Sequence, residues 1–293
     1  MAGGQAAVYR RRRLLVGALV LALLGAGIWA LASLGGGQDR AAPIRQRCTA
    51  TIDGAGWSFS PAQTEYAALI AAVSVQRGLP PRAASIAIAT AIQESSLRNL
   101  DYGDEAGPDS RGLFQQRPSS GWGTPEQVMD PYYAANAFYN ALVKVPGYTE
   151  LPITVAAQEV QRSAYPDAYA DHESEGRAFA SALTGQSPAA LSCVLGPAAA
   201  VGNPDAVLDS VTAAYGPVTA EVFGSVLLVE AEGAFGWSVA QWAVANAAAL
   251  SIESVSFDGQ QWRRGTGTWE AADASAAEVA IAVAGVAAPE PGQ

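Results

Sequence analysis

Hydrophobic residues recur at helical spacing over most of the chain between residues 48 and 193. Ser60, Pro61 and Gln63 form an N-cap, a first-turn proline and a capping box, which predict that a helix begins here. A second helix is predicted to begin at Pro80-Pro81. Its stretch 83–92 carries only two polar side chains, both small hydroxyls, so it is expected to be buried on nearly every side. Strand patterns are nearly absent, which predicts a compact, mainly α domain.

The N-terminus combines a basic stretch with a long apolar run. Four arginines at positions 10–13 precede an uncharged run over residues 14–34. A helix of that length reaches across a hydrocarbon core. The pattern predicts a retained single-pass membrane anchor, with residues 1–13 in the cytoplasm and the body outside it. The alternative is a signal segment cleaved after residue 32, which would release a secreted body. Residues 35–47 are predicted to be a flexible linker.

The composition changes again after residue 193. Residues 194–205 are predicted to be a second linker, and residues 206–285 a small α+β module of unknown role. In this module helical patterns precede an alternating strand at 252–257 and a hairpin turn at Asp258-Gly259. Four of its residues are tryptophans, which points to a protein or cell-wall partner, although tryptophans pack in cores more often. Residues 286–293 are expected to be disordered.

Charge and cysteine content narrow the partners and the compartment. Residues 1–47 contain seven of the 17 Lys and Arg residues but one of the 27 Asp and Glu residues, so the remainder is strongly acidic. An acidic body argues against nucleic acid as a partner. The two cysteines, Cys48 and Cys193, are expected to form a disulfide if the body lies outside the cytoplasm. Two buried free thiols are the alternative.

One carboxylate stands out in the predicted helical domain. Glu94 lies at the C-terminal end of the most apolar helix. Burial and the negative end of the helix dipole both disfavour the ionised form, so its pKa is expected to be raised, as a general acid requires. The alternative is a glutamate that reaches solvent where the helix ends. A polar loop follows and leads into residues 112–116, Gly-Leu-Phe-Gln-Gln. Glycine lets a ligand approach the backbone, and glutamine offers paired donors and acceptors for amide-bearing sugars.

The stretch from Gly78 to Leu97, followed by Gly-Leu-Phe-Gln-Gln, resembles the lytic transglycosylase domain of the lysozyme-like superfamily, which includes goose-type lysozyme. In that family a helix-terminal Glu-Ser pair is followed by a Gly-Leu-x-Gln motif. The resemblance spans about residues 60–185. It implies a lysozyme-like helical fold and cleavage of the β-1,4 bond between N-acetylmuramic acid and N-acetylglucosamine in peptidoglycan.

The resemblance also assigns roles to individual residues. Glu94 would be the sole catalytic acid and base, and no cofactor or metal would be needed. The implied substrate-binding residues are Ser95, Gly112, Gln115, Gln116 and Tyr165. The chain departs from the family where Asp109-Ser110-Arg111 replaces the usual Gly-Ala, and where Pro166-Asp167-Ala168 replaces Asn-Ala-Gly after the tyrosine.

Two further alternatives stay open at this point. A two-carboxylate hydrolase would need a partner acid about 5–10 Å from Glu94, and Asp101, Asp104 and Asp109 are the candidates. The chain could instead be a non-catalytic wall-binding or assembly protein that keeps the fold as a glycan groove. His172 is the only histidine, so the chain has few of the residues that a Ser-His-Asp triad or a zinc site requires.

Overall fold

The computed structural model describes residues 44–105, 107–163 and 167–285, and these residues form one compact unit. The α-helices are α1 (Pro61–Gln76), α2 (Pro81–Ser95), α3 (Pro125–Met129), α4 (Pro131–Leu142), α5 (Ile153–Gln161), α6 (Glu173–Leu183), α7 (Pro204–Tyr215) and α8 (Gly233–Ala245). The strands are β1 (Arg47–Ile52), β2 (Ala55–Phe59), β3 (Leu191–Val194), β4 (Ala220–Phe223), β5 (Val226–Glu230), β6 (Ile252–Phe257), β7 (Gln260–Arg263), β8 (Trp269–Ala271) and β9 (Glu278–Val283). Short 3-10 helices cover Pro118–Ser120 and Ala168–His172.

Helix α2 lies at the centre of the helical part. Every residue from Ala83 to Ile92 is buried, as the scarcity of polar side chains predicts. Helix α6 packs closely along it because Gly176 has no side chain. A Cβ there would lie 2.8 Å from the backbone oxygen of Ser85 and 2.9 Å from the Cβ of Ala89. The predicted capping box of α1 is also confirmed, since Ser60 and Gln63 exchange both bonds.

A three-stranded antiparallel sheet in the order β2-β1-β3 joins the two ends of this helical part. Cys48 of β1 lies opposite Cys193 of β3, and the two form a disulfide with a Cα–Cα distance of 3.9 Å. The predicted disulfide is therefore confirmed. The hydrophobic pattern does not reveal these strands because each is short, and because β1 and β3 pair although their cysteines are 145 residues apart in the sequence.

The C-terminal part contains a six-stranded antiparallel sheet in the order β4-β5-β9-β6-β7-β8. The strand predicted at 252–257 and its turn at Asp258-Gly259 are present as β6 and the β6–β7 hairpin. Helix α8 packs on β6 and β9 and also on α1, α6 and β3. Hydrophobic residues from both parts consequently form one continuous core. A domain boundary at 194–205 stays a prediction.

Two predictions need correction. The mainly α fold class is wrong, because the described residues form an α+β structure with two antiparallel sheets. The single-pass membrane localisation is corrected as well. No helix in the described ranges is long and apolar enough to cross a membrane. The predicted anchor at 14–34 lies outside the described residues, as do the tail at 1–13, most of the linker at 35–47 and the tail at 286–293.

Candidate active site

Glu94 lies one residue before the end of α2, with its side chain half-buried. The hydroxyl of Tyr169 donates a hydrogen bond to Glu94 Oε1 at 2.7 Å. Tyr169 belongs to the 3-10 helix Ala168–His172 and is itself fully buried. The side chain of Gln161, the last residue of α5, lies close enough to Glu94 to favour its ionised form. Three separate elements therefore converge on one carboxyl group.

The environment raises the pKa of Glu94 above its ordinary value. Burial is the largest cause, and the negative charge of Asp104 acts in the same direction. The hydrogen bond from Tyr169 and the nearby amide of Gln161 favour the ionised form and oppose the shift only in part. The pKa of Tyr169 is raised strongly, first by burial and then by the charge of Glu94, so this phenol remains a donor at all ordinary pH values. The result is a carboxyl group that holds its proton closer to neutral pH and could deliver it.

Ser95 connects the end of α2 to the glycine-leucine-phenylalanine-glutamine motif. Its hydroxyl lies 2.8 Å from the carbonyl oxygen of Leu113 and 3.0 Å from that of Ala91, and the side chain is almost completely buried. The backbone N–H of Arg98 donates to the same hydroxyl at 3.2 Å. These contacts fix the motif against the helix that carries Glu94. They favour a positioning role for Ser95 over direct contact with a substrate.

The motif itself turns sharply into the interior. Gly112 has a φ of +78°, and a Cβ there would lie 2.2 Å from the carbonyl oxygen of Val128, so no other residue fits. Gln116 is fully buried, and its amide donates to the carbonyl oxygen of Ala134 at 3.0 Å. Gln115 is only half-buried, with its amide 3.3 Å from the carbonyl oxygen of Gly112. Of these three, Gln115 is the residue whose side chain a substrate could reach.

Two residues at the site were not found by sequence reasoning. Tyr169 lies four positions after Tyr165, the tyrosine that the resemblance selects, and Tyr165 lies outside the described residues. The repeated Tyr in this stretch is a signal that could have raised Tyr169 as an alternative. Gln161 also donates to the carbonyl oxygen of Phe114 at 2.8 Å, so it joins α5 to the motif. Nothing in the sequence distinguishes it from other glutamines at helix ends.

The three candidate second carboxylates differ in what they contact. Asp109 pairs with Arg117 at 3.2 Å and accepts from the backbone N–H of Ser119 at 3.0 Å. The contacts with Ser119 lower the pKa of Asp109 to about 2, with a smaller contribution from Arg117, which marks it as an ionised structural group. Asp104 accepts from the N–H of Gly107 at 2.8 Å, and its charge acts on Glu94. Asp101 is exposed.

The remaining polar groups near α2 do not gather into a metal site. His172 lies between Glu175, at 3.2 Å, and the side-chain oxygen of Gln93, at 3.1 Å. Across the ranges that the structure describes, no three His, Cys, Asp or Glu side chains are grouped to hold a metal ion. A cavity of about 350 Å³ is lined by residues on either side of the α1 N-terminus and by Ser96, Leu97, Arg98 and Asn99. Glu94 does not line it.

No protein-family model matches this chain, and no curated protein is similar to it at a significant level.

Proposed function

We propose that this chain is a peptidoglycan-cleaving glycosidase, a lytic transglycosylase or a lysozyme-like muramidase, in which Glu94 is the single general acid and base. The observation that supports the proposal most is the setting of Glu94. It is a half-buried carboxyl group with a raised pKa, which accepts a hydrogen bond from Tyr169 at the end of a buried helix. Isolated carboxylates are rarely kept in such surroundings without a role, and functional sites collect shifted pKa values.

The proposed reaction begins with protonated Glu94. Its proton passes to the glycosidic oxygen as the bond between that oxygen and the anomeric carbon of N-acetylmuramic acid breaks. The resulting carboxylate then removes a proton from the nucleophile that attacks the anomeric carbon. If the nucleophile is the C6 hydroxyl of the same sugar, a 1,6-anhydro ring forms, and if it is water, a reducing end forms. Either way Glu94 regains its proton.

The neighbours of Glu94 serve the two halves of this cycle differently. Burial favours the neutral acid before cleavage, whereas the hydrogen bond from Tyr169 and the nearby amide of Gln161 stabilise the carboxylate after it. Because Tyr169 keeps its own proton, it can donate to Glu94 throughout without taking part in the proton transfer. Gln115 is the residue of the motif placed to contact a sugar amide, since its side chain remains half-exposed.

The proposal is tested by incubating purified sacculi with the full chain and identifying the released fragments by mass spectrometry. We expect release by the wild-type protein and loss of release in Glu94→Gln, by a factor of about 10²–10⁴. The matched control is Glu159→Gln, because Glu159 is an exposed glutamate of α5. Anhydro-ended fragments would identify a transglycosylase, and reducing ends a muramidase.

Two results would contradict the proposal. One is the absence of release by the wild-type protein, and the other is equal release by the wild type and Glu94→Gln. Sedimentation with sacculi should be measured in parallel. Binding without release would favour the alternative of a non-catalytic glycan-binding or assembly protein.

A further inference from the structure

A second cleft lies at the opposite end of α2 from Glu94. It has a volume of about 530 Å³ and is bounded by the β1–β2 hairpin, the first turns of α2, one face of α6 and Gln186. Clefts of roughly 300–1,000 Å³ are typical of small-ligand sites. Arg82, in the first turn of α2, contributes to this cleft and precedes Glu94 by about 18 Å of helix at 1.5 Å per residue. The cleft is therefore separate from the candidate active site.

Two positively charged guanidinium groups line this cleft close enough together for their charges to repel each other. Arg82 and Arg177 are both lining residues, and the charge of Arg177, together with burial, lowers the pKa of Arg82. Arg82 donates to the carbonyl oxygen of Leu151, but its buried Nε has no hydrogen-bond partner among the described residues. That Nε is closed to solvent, so a ligand in the cleft would be held through the terminal nitrogens of the two guanidinium groups. The pair is thus suited to an anionic group that it could hold through several N–H donors.

Acidic groups beside the arginines limit which anion would fit. Glu173 lies 3.4 Å from Nη2 of Arg177, and the charges of Glu173 and Glu150 both act on Arg82. Asp53 in the β1–β2 turn lines the cleft directly and is exposed. A doubly charged anion such as phosphate would be repelled by these carboxylates. A singly charged carboxylate would be repelled less and fits the charge pattern better.

The uncharged lining suits a peptide backbone. Trp57 and Ile52 of the hairpin provide an apolar wall. Hydroxyl and amide side chains, which can pair with peptide groups, come from Ser85, Ser174, Ser181 and Gln186. The combination of an apolar wall with a few polar groups is the ordinary composition of a specific ligand site.

We propose that this cleft binds a short peptide by its free carboxylate, which lies between Arg82 and Arg177. The amide groups of the peptide face the serines and Gln186. Under the proposed function, the natural source of this ligand is the peptide stem attached to the glycan strand, and only this assignment of the source rests on that function. The cleft then selects the peptide while Glu94 acts on the sugar.

The test is isothermal calorimetry on the full chain with Ala-Ala-Ala, its C-terminal amide and inorganic phosphate as separate probes. We expect the free acid to bind at least about tenfold more tightly than the amide, because the amide lacks the charge-assisted bonds. Arg177→Gln should weaken binding of the free acid by a similar factor. Its side chain is half-exposed, so the substitution should not impair folding. The matched control is Arg263→Gln, an exposed arginine of β7, which should bind as the wild type does.

The outcomes separate this proposal from the proposed function. Equal binding of acid and amide, tighter binding of phosphate, or no binding of the tripeptide at millimolar concentration would each overturn the peptide site. Glu94→Gln should bind Ala-Ala-Ala as the wild type does, because the carboxyl lies at the other end of α2. Carboxylate-dependent binding together with no cleavage of sacculi would support the site and refute the glycosidase.

Discussion

The end of α2 and the middle of α8 both bury polar side chains, but they use them in opposite ways. Gln241 of α8 is fully buried, and every bond that it makes is to backbone. Its side-chain oxygen accepts from the N–H of Leu191 at 2.7 Å, and its amide donates to the carbonyl oxygens of Ala182 at 2.7 Å and Ser187 at 3.0 Å. Gln241 therefore fastens the end of α6 to the start of β3.

The contacts of Glu94 are of the opposite kind. Its partners are the side chains of Tyr169 and Gln161, it remains half-exposed, and its pKa is raised. A buried side chain whose hydrogen bonds all go to backbone, as in Gln241, stabilises the fold. A half-buried carboxyl group, as in Glu94, lowers stability when it is ionised but leaves an oxygen available for chemistry. The difference predicts that substitutions at the two places will separate activity from stability.

The largest expected effect is at Glu94. Glu94→Gln should reduce cleavage by about 10²–10⁴ and yet leave the protein at least as stable. Since the folded-state pKa of Glu94 is raised, the stability that comes from its neutral form is fully present below the unfolded pKa and is lost as pH rises through the folded pKa. Glutamine stays neutral, so the Tm of the variant relative to the wild type should increase between pH 4 and pH 8. Thermal unfolding over that range checks the sign, and a Tm that falls with pH relative to wild type would contradict the argument.

The next largest effect is expected at Gln241, where stability should fall and activity should not. Gln241→Ala leaves two buried backbone groups and one partly buried group without their partner, at a cost of roughly 1–3 kcal/mol for each group that stays dry. We expect the free energy of unfolding to fall by about 3 kcal/mol in denaturant titrations, with cleavage per folded molecule unchanged. Gln46→Ala, at an exposed position, is the control. Loss of activity without loss of stability would remove the contrast between the two regions.

Some features of the fold and of the candidate site can be predicted from the sequence alone. Glu94 could be found because a charged residue interrupts the most apolar helix, and the cap at Ser60 could be found because its bonds are local. Cys48 and Cys193 could be paired by elimination once two thiols were expected to oxidise. Each of these features depends on residues that are close in the sequence or, for the cysteines, on the chain having only two of them.

The rest depends on how distant segments meet. Tyr169 reaches Glu94 across 75 residues, and Gln241 reaches Leu191 across 50, so neither partner follows from local spacing. The strands β1 and β3 pair only because the helices between them return the chain to its starting point. A mainly α class was predicted because β3 has only four residues, so its alternation of buried and half-buried side chains is too short to stand out in the sequence.

A smaller effect is expected at Tyr169. Tyr169→Phe removes the donor that favours ionised Glu94, so the pKa of Glu94 should rise further and the maximal rate should fall by about tenfold. Because the acid must be protonated to act, activity declines as pH rises through that pKa, and the declining limb should move to higher pH. The pH profile of cleavage checks this. Tyr148→Phe, at a half-buried tyrosine outside the site, should change neither quantity.

A lower rate in Tyr169→Phe with an unmoved limb would mean that Tyr169 acts only on packing. The distinction matters because Tyr169 is fully buried, and a cavity at its hydroxyl could by itself disturb α2. A shift of the limb cannot arise from packing alone in the same direction, since better hydration of Glu94 would lower its pKa.

The smallest effect is expected at Asp104, whose negative charge raises the pKa of Glu94 from an exposed position. Asp104→Asn should lower that pKa and move the declining limb to lower pH, with the rate reduced less than tenfold. Since the charge is exposed, the difference from wild type should shrink as salt increases. Asp101→Asn, at an exposed aspartate of the same loop, is the control. A loss as large as that of Glu94→Gln, unaffected by salt, would instead make Asp104 a second catalytic carboxylate, because a direct contact with the reacting atoms is screened much less than a charge acting through solvent.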